Sequence, residues 1–77
     1  MTATTYVGID VAKATLQVHF NGHQIEFNNN AKGHANLSKK LTRLTRPHVI
    51  CEATGGYERS LVAACHQDKI RVSVLNP

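Results

Sequence analysis

Residues 5–11 read TYVGIDV, and this segment predicts the central strand of a β-sheet. One face of the strand carries valine and isoleucine at alternate positions, and the other carries Tyr6, Gly8 and Asp10. Because both faces are largely apolar or small, we expect other elements to cover the strand on both sides. Asp10 places a carboxylate next to the end of this segment.

A β-hairpin is predicted next in the chain. The second strand runs from Ala14 to Phe20, where apolar and polar residues alternate. The dipeptide Asn21-Gly22 follows at once and favours a type I′ turn, because both central positions of that turn need a positive φ. A third strand from His23 to Phe27 then pairs antiparallel with the second, and its polar face is typical of an edge strand.

The remainder of the chain alternates between helices and strands. A helix is predicted from about Lys32 to Leu44, where leucines recur on one stripe, and one of the asparagines at 28–30 can cap its first turn. Thr54 is the expected N-cap of a second helix that runs to about Gln67. Two apolar runs predict the fourth and fifth strands, His48–Glu52 and Ile70–Leu75.

The element order βββαβαβ predicts an α/β fold with a mixed five-stranded sheet. Strands that are entered through helices lie parallel to their neighbours with right-handed crossovers, so the fourth strand should lie beside the first, in the order 3-2-1-4-5. The chain leaves the first and fourth strands in opposite directions. Ligands of open α/β sheets bind at such a point, beyond the carboxyl ends of the strands. Asp10 and Glu52 end those two strands, so we expect them to share one site.

The same topology places both helices on one face of the sheet. The opposite face then has no helix from this chain to cover it, and apolar side chains there would be exposed. We therefore expect a homo-oligomer that forms through that face or through the edge of the fifth strand.

Asp10 and Glu52 are two of only five acidic residues in the chain. A carboxylate buried beside Val, Ile and Cys is costly unless a metal or partner compensates it, and two close carboxylates repel unless a cation lies between them. Magnesium can be held by one or two carboxylates plus a substrate phosphate. Taken singly, Asp10 would suit a turn and Glu52 a helix N-terminus, but their shared position favours a metal site. No chemistry is assigned to the other acids, Glu26, Glu58 and Asp68.

A basic cluster stands out in a chain of net charge +4, and it contains four of the nine lysines and arginines, Lys39, Lys40, Arg43 and Arg46. Such a cluster fits a polyanionic partner, and nucleic acid first. When charge alone is considered, a solvent-exposed helix face explains the cluster slightly better than a nucleic-acid-binding surface does.

The 77 residues suffice for one small domain. The longest purely apolar run, Leu61–Cys65, is far shorter than the roughly 20 residues that a bilayer requires. Cys51 and Cys65 are interpreted as reduced, buried residues of a cytoplasmic protein. None of the five histidines follows the spacing of a zinc site.

Three segments carry a resemblance to a known family: Val7–Lys13, Cys51–Glu58 and Arg71–Pro77. Together they resemble the start of the DEDD transposases of insertion sequences, a recombinase family related to the Piv DNA invertase. The Glu-Ala-Thr-Gly-Gly-Tyr stretch within the second segment is the most specific of the three, because a Gly-Ile-Asp strand is shared by many ribonuclease H-like proteins.

The resemblance implies a RuvC-like, ribonuclease H-like fold with a four-carboxylate site for magnesium. By motif, Asp10 would be the first acid of the tetrad and Glu52 the second, both catalytic and both metal ligands. The family's last two acids lie on a helix beyond the position of Pro77. Residues 1–77 would therefore form a partial N-terminal RuvC-like catalytic domain that is inactive alone and binds Mg²⁺ weakly or not at all. DNA is the implied partner, with an element-encoded guide RNA in addition.

Other functions remain open at this point. The main alternative is a non-catalytic nucleic-acid-binding or assembly module of the same fold, which would use the basic cluster. Actin-like and sugar-kinase ATPases also begin with a Gly-Ile-Asp strand, but Ala12 and Lys13 stand where their phosphate loop needs glycine and a hydroxyl residue. A Holliday-junction resolvase is closer, yet it lacks the Ala-Thr-Gly-Gly-Tyr stretch.

Overall fold

The computed structural model describes residues 3–76, which form five strands and two helices in the predicted order. Their bounds are β1 Thr5–Val11, β2 Thr15–Phe20, β3 His23–Asn28, α1 Ala31–Leu41, β4 Pro47–Glu52, α2 Arg59–Gln67 and β5 Arg71–Leu75. The turn between β2 and β3 has positive φ at Asn21 (49°) and Gly22 (78°), as the predicted type I′ hairpin requires.

The sheet has the predicted strand order, β3-β2-β1-β4-β5. The first three strands pair antiparallel, whereas β1 with β4 and β4 with β5 pair parallel. This α/β architecture is consistent with the ribonuclease H-like fold. The parallel pair of β1 and β4 matters most for function, because it brings together two segments that are some forty residues apart in the sequence.

The hydrophobic core lies on one face of the sheet, beneath both helices. It comprises Val7, Ile9, Leu16, Val18, Phe20, Leu37, Leu41, Val49, Cys51, Leu61, Cys65 and Ile70. Strand residues alternate between the two faces, so their neighbours lie on the other face, where Tyr6 is 62% and Leu75 is 49% exposed. We call this second face the open face. Within residues 3–76 the central strand is covered on one side only, so the expectation of cover on both sides is wrong for the described chain.

Helix α1 begins as predicted but ends three residues early. The side chain of Asn30 accepts a hydrogen bond of 2.8 Å from the backbone amide of Gly33, which makes it the N-cap. At the other end, Thr42 Oγ1 donates to the carbonyl oxygen of Lys39, and a turn replaces the helix. Leu44 still reaches the core from that turn, so the apolar stripe continues although the helix has ended.

Helix α2 begins at Arg59, and the prediction that Thr54 is its N-cap is wrong. Gly55 and Gly56 between them have φ of 72° and 113°, which no right-handed helix contains. Residues 55–58 therefore form turns, and Glu58 occupies the N-cap position without a capping bond from its side chain.

Cys51 and Cys65 are both buried and free, as predicted. Among residues 3–76, neither helix has the length and apolar character that crossing a bilayer would need.

Candidate carboxylate site at the carboxyl ends of β1 and β4

The structure brings Asp10 and Glu52 together at one end of the sheet. In the parallel register of β1 and β4, Ile9 is the partner of Cys51, so the next residue on each strand is one of the two acids. Neighbouring strands lie about 4.8 Å apart, and residues at matching positions of parallel strands point to the same face. Both carboxylates therefore project from adjacent strand ends on the open face, as the predicted topology required.

Neither carboxylate is buried. The side chain of Asp10 is 84% exposed and Glu52 is also exposed, so the expectation of costly buried acids is wrong. The reason is the alternation along each strand: Ile9 and Cys51 point into the core while the acids beside them point to the uncovered face. The functional argument for the two acids therefore depends on their common position and not on desolvation.

His19 is a partner of Asp10 that the sequence analysis did not identify. Its Nε2 lies 3.3 Å from Asp10 Oδ2, although the strand register pairs Asp10 with Gln17 and pairs His19 with Gly8. A Cβ at Gly8 would meet no atom within 4 Å, so the open face has free space beside the histidine. The contact between two exposed side chains contributes little to stability. Its relevance is that it places an imidazole beside the candidate ligand.

Glu58, to which the sequence analysis assigned no chemistry, organises the loop that follows β4. Its Oε1 accepts hydrogen bonds from the backbone amides of Thr54 (2.9 Å) and Gly56 (3.1 Å) and from Thr54 Oγ1 (3.2 Å). The amide of Thr54 contributes most to lowering the pKa of Glu58 to about 2, followed by the amide of Glu58 itself. Glu58 is therefore ionised at neutral pH and holds the loop that begins two residues after Glu52.

The two cysteines are poor candidates for a catalytic nucleophile. Burial raises the pKa of Cys51, with a smaller contribution from the charge of Glu58. Burial likewise raises the pKa of Cys65, to about 11. Both thiols therefore stay protonated at neutral pH, and the thiolate is the reactive form.

The donor set at the strand ends suits a hard divalent cation only in part. Asp10 and Glu52 offer carboxylate oxygens, and their exposure leaves room for the water ligands that Mg²⁺ retains. Within residues 3–76, however, no cluster of three or more His, Cys, Asp or Glu side chains is arranged to hold a metal. The pair fits half of a magnesium site and does not complete one.

The basic residues lie away from this pair, at the end of α1 and in the turn after it. Lys39 and Lys40 occupy the last turn of α1, where cations are favourable to the helix dipole. Lys40 and Arg43 border a groove of about 270 Å³ against the β2–β3 hairpin. The other residues of this groove are Phe20, His23, Gln24, Ile25 and Leu44. Lys39 and Arg46 are exposed but do not line it.

Comparison with known proteins shows which family this chain is similar to. A family model of transposases, the DEDD transposases of the IS110 type, matches residues 7–77. The chain is also similar to pilin gene-inverting proteins from Moraxella lacunata and Moraxella bovis, with 33% identity over 81 aligned residues in each case. These alignments cover 95% of this chain and 25% of each relative. The chain thus spans about a quarter of the length of the curated relatives that it matches.

Proposed function

The chain belongs to the IS110 family of DEDD transposases, and we propose that it supplies Asp10 and Glu52 to the metal site of a DNA-cleaving catalytic domain. The observation that carries the proposal is the register of β1 and β4, which sets the two acids side by side at the switch point of the sheet.

In this proposal Asp10 and Glu52 hold a magnesium ion through their carboxylate oxygens. A bound divalent ion would activate a water or a 3′-hydroxyl group and stabilise the leaving oxygen of a phosphodiester. The chain's own contribution is to hold two ligands on neighbouring strands, so that the sheet brings the two carboxylates side by side. Because two carboxylates are few for this task and residues 3–76 group no third His, Cys, Asp or Glu with them, further ligands would have to join the pair.

The proposed substrate and compartment are taken from the family. The relatives are named for inverting a pilin gene, which supports DNA as the substrate. A guide RNA, implied by the sequence resemblance alone, would be a further partner of the whole protein. Such a protein would act in the cytoplasm, in keeping with two free cysteines. Alone, the 77-residue chain would be inactive and would bind Mg²⁺ weakly.

Metal binding can be tested on the 77-residue chain by NMR with Mn²⁺ as a paramagnetic probe. We expect the amide signals of Asp10 and Glu52 to broaden together at one Mn²⁺ concentration, and Asp10→Asn to abolish the broadening at both positions. Glu26→Gln, on the edge strand β3, is the matched control and should change nothing. Separate broadening of the two acids in the wild-type chain would contradict a shared site.

The proposed inactivity of the isolated chain has its own test. Purified 77-residue protein should neither cleave nor join DNA strands in Mg²⁺ or Mn²⁺. Strand cleavage that disappears in Asp10→Ala would show that two carboxylates suffice, and this part of the proposal would be wrong.

A second candidate function, nucleic-acid binding through the basic cluster, is favoured by the groove beside Lys40 and Arg43. Its other residues include Phe20 and His23, whose rings lie 5.7 Å apart between centroids. A partly apolar groove bordered by cations suits a single-stranded nucleic acid, whose bases would contact the lining while its phosphates meet the charges. This function could coexist with the metal site or replace it.

Salt-dependent binding of a short single strand separates the two functions. Lys40→Ala and Arg43→Ala should weaken binding, and each should lower the slope of log affinity against log salt by about 0.7. Lys32→Ala, at the start of α1 and outside the groove, is the control. If binding instead survives both groove changes and is lost with Asp10→Asn, the groove is not the binding surface.

A further inference from the structure

One side chain, that of Asn29, connects the segments that follow both candidate ligands. Its Nδ2 donates to the carbonyl oxygen of Ala12 (2.9 Å), two residues after Asp10, and to that of Tyr57 (3.0 Å), five residues after Glu52. The backbone amide of Asn29 also donates to the carbonyl oxygen of Ala14 at 2.8 Å. The β1–β2 turn and the β4–α2 loop are thus joined through a single amide group.

The third segment in this arrangement is helix α1, through His34. Carbonyl oxygens only accept hydrogen bonds, so the amide nitrogen of Asn29 must face Ala12 and Tyr57, and its Oδ1 must face the histidine. His34 Nε2 lies 2.7 Å from that oxygen and is therefore the donor. His34 is only 7% exposed, and burial lowers its pKa, so the neutral ring carries its proton on Nε2. Both hydrogens of the Asn29 amide and its oxygen are satisfied.

We propose that Asn29 is a positioning residue for the carboxylate site, which it serves by tying the turn after Asp10 to the loop after Glu52. The inference rests on the proposed function, since it concerns the same pair of ligands. The β1–β4 register sets the strand ends side by side, but a turn and a glycine-containing loop follow them at once. Without a connection between those two segments, the separation of the carboxylates would vary with the motion of each.

A purely local role for Asn29 explains less of the geometry. An asparagine that only shapes its own turn would bond to backbone groups within a few residues. Asn29 reaches 17 residues back to Ala12 and 28 residues forward to Tyr57, and each acceptor belongs to a segment that follows a candidate ligand. The hydrogen bonds from this side chain thus connect the two halves of the site.

The change Asn29→Asp provides a test because it has two opposite effects on the affinity of the site for a cation. It replaces the donor with a carboxylate oxygen facing two carbonyl oxygens, so the connection is broken by repulsion. The added negative charge near the site would, by electrostatics alone, strengthen the attraction of a cation. Asn36→Asp, at an exposed position of α1, adds the same charge without breaking the connection and is the matched control.

The readout is the Mn²⁺ concentration at which the amide signals of Asp10 and Glu52 broaden together in the 77-residue chain. We expect the midpoint to rise about tenfold in Asn29→Asp, the lower end of the effect of losing an outer-shell partner of a metal site. The midpoint in Asn36→Asp should be unchanged or lower. An unchanged or lower midpoint in folded Asn29→Asp would overturn the positioning role while leaving the metal site intact.

Backbone order parameters of the wild-type chain without metal give a second, independent test. The amides of Ala12 and Tyr57 should be as rigid as those of β1, near 0.85, whereas values below about 0.6 would overturn the proposal. This measurement decides the matter if Asn29→Asp does not fold. It also separates the two proposals, because absence of joint broadening in the wild-type chain contradicts the metal site and leaves the rigidity of the connection measurable.

Discussion

Gly8 and Gly33 differ in what surrounds them. Gly8 lies on the open face of β1, and a Cβ there would meet nothing within 4 Å. Gly33 lies in the first turn of α1, where a Cβ would overlap the carbonyl oxygen of Asn28 and lie 2.7 Å from its carbonyl carbon. The close approach of α1 to the end of β3 therefore requires a residue without a side chain. That approach also brings His34, the next residue, within reach of Asn29.

Alanine substitutions at these two glycines should have opposite effects on stability. Gly8→Ala should raise the free energy of unfolding by about 0.5 kcal/mol, because the residue loses unfolded-state freedom and gains no clash. Gly33→Ala should lower the free energy of unfolding by about 3 kcal/mol, because the helix must move away from β3. Urea denaturation of the two variants measures both values. Equal effects would mean that the contact of α1 with Asn28 is looser than described.

Glu58 should make a pH-dependent contribution to stability. Its folded pKa of about 2 lies below the ordinary value of 4.5, so its contribution is complete above pH 4.5 and is lost as the pH falls towards 2. The difference in thermal midpoint between wild type and Glu58→Gln should therefore be largest above pH 4.5 and should shrink below it. Circular dichroism melts from pH 7 to 2 measure this. Glu26→Gln is the control, and a pH-independent difference for Glu58→Gln would contradict the assignment.

At the scale of elements, the two helices begin in different ways. Asn30 caps α1 through its side chain, whereas the side chain of Glu58 at the start of α2 is directed back to Thr54 and Gly56. The first turn of α2 therefore gains no side-chain cap, and the carboxylate shapes the preceding loop instead. The loop after Glu52 is thus stabilised at the expense of helix capping, which places the stabilising interaction next to the candidate site.

The cap of α1 can be tested by substitution. Asn30→Ala should lower the free energy of unfolding by about 1 kcal/mol, because the amide of Gly33 loses its acceptor. Asn36→Ala, within the same helix and exposed, should have little effect. Chemical denaturation measures both changes. A comparable loss in the two variants would indicate that helix propensity and not capping is responsible.

At the scale of the whole molecule, the sheet is covered on one face and exposes an apolar edge. Val74 is 42% and Leu75 is 49% exposed on the edge strand β5, and Tyr6 is 62% exposed on the open face. In contrast, the part of the open face formed by β2 and β3 is polar, with Gln17 hydrogen-bonded to both Gln24 and Glu26. A β-strand or an apolar surface of another molecule would therefore pack against β5 and not against β3.

The sequence predicts self-association through the open face or through the edge of β5, and this asymmetry favours the edge of β5. Light scattering should show a molecular mass that rises with concentration, and Val74→Lys should reduce the association because it introduces charge at the edge. Gln24→Lys on β3, the opposite edge strand, should leave the association unchanged. A strict monomer at high concentration would contradict the proposal.

Local patterns in the sequence determined most of the fold. Alternation in β1, the Asn21-Gly22 turn and the leucine stripe of α1 act between residues close in the chain, so all seven elements and the strand order could be predicted. The position of Asp10 and Glu52 at the carboxyl ends of neighbouring strands followed from the same strand order. The resemblance in the Glu-Ala-Thr-Gly-Gly-Tyr stretch indicated the family, which the match over residues 7–77 confirms.

Long-range contacts decided what the sequence could not. The connection made by Asn29 and the contact between His19 and Asp10 depend on side chains that meet only after the sheet has formed. The exposure of the two acids also required the structure, because a strand's pattern shows that its faces differ but not which face the helices will cover. The physical reason is one of range: turn and helix preferences act over a few residues, whereas these hydrogen bonds join residues up to 28 positions apart.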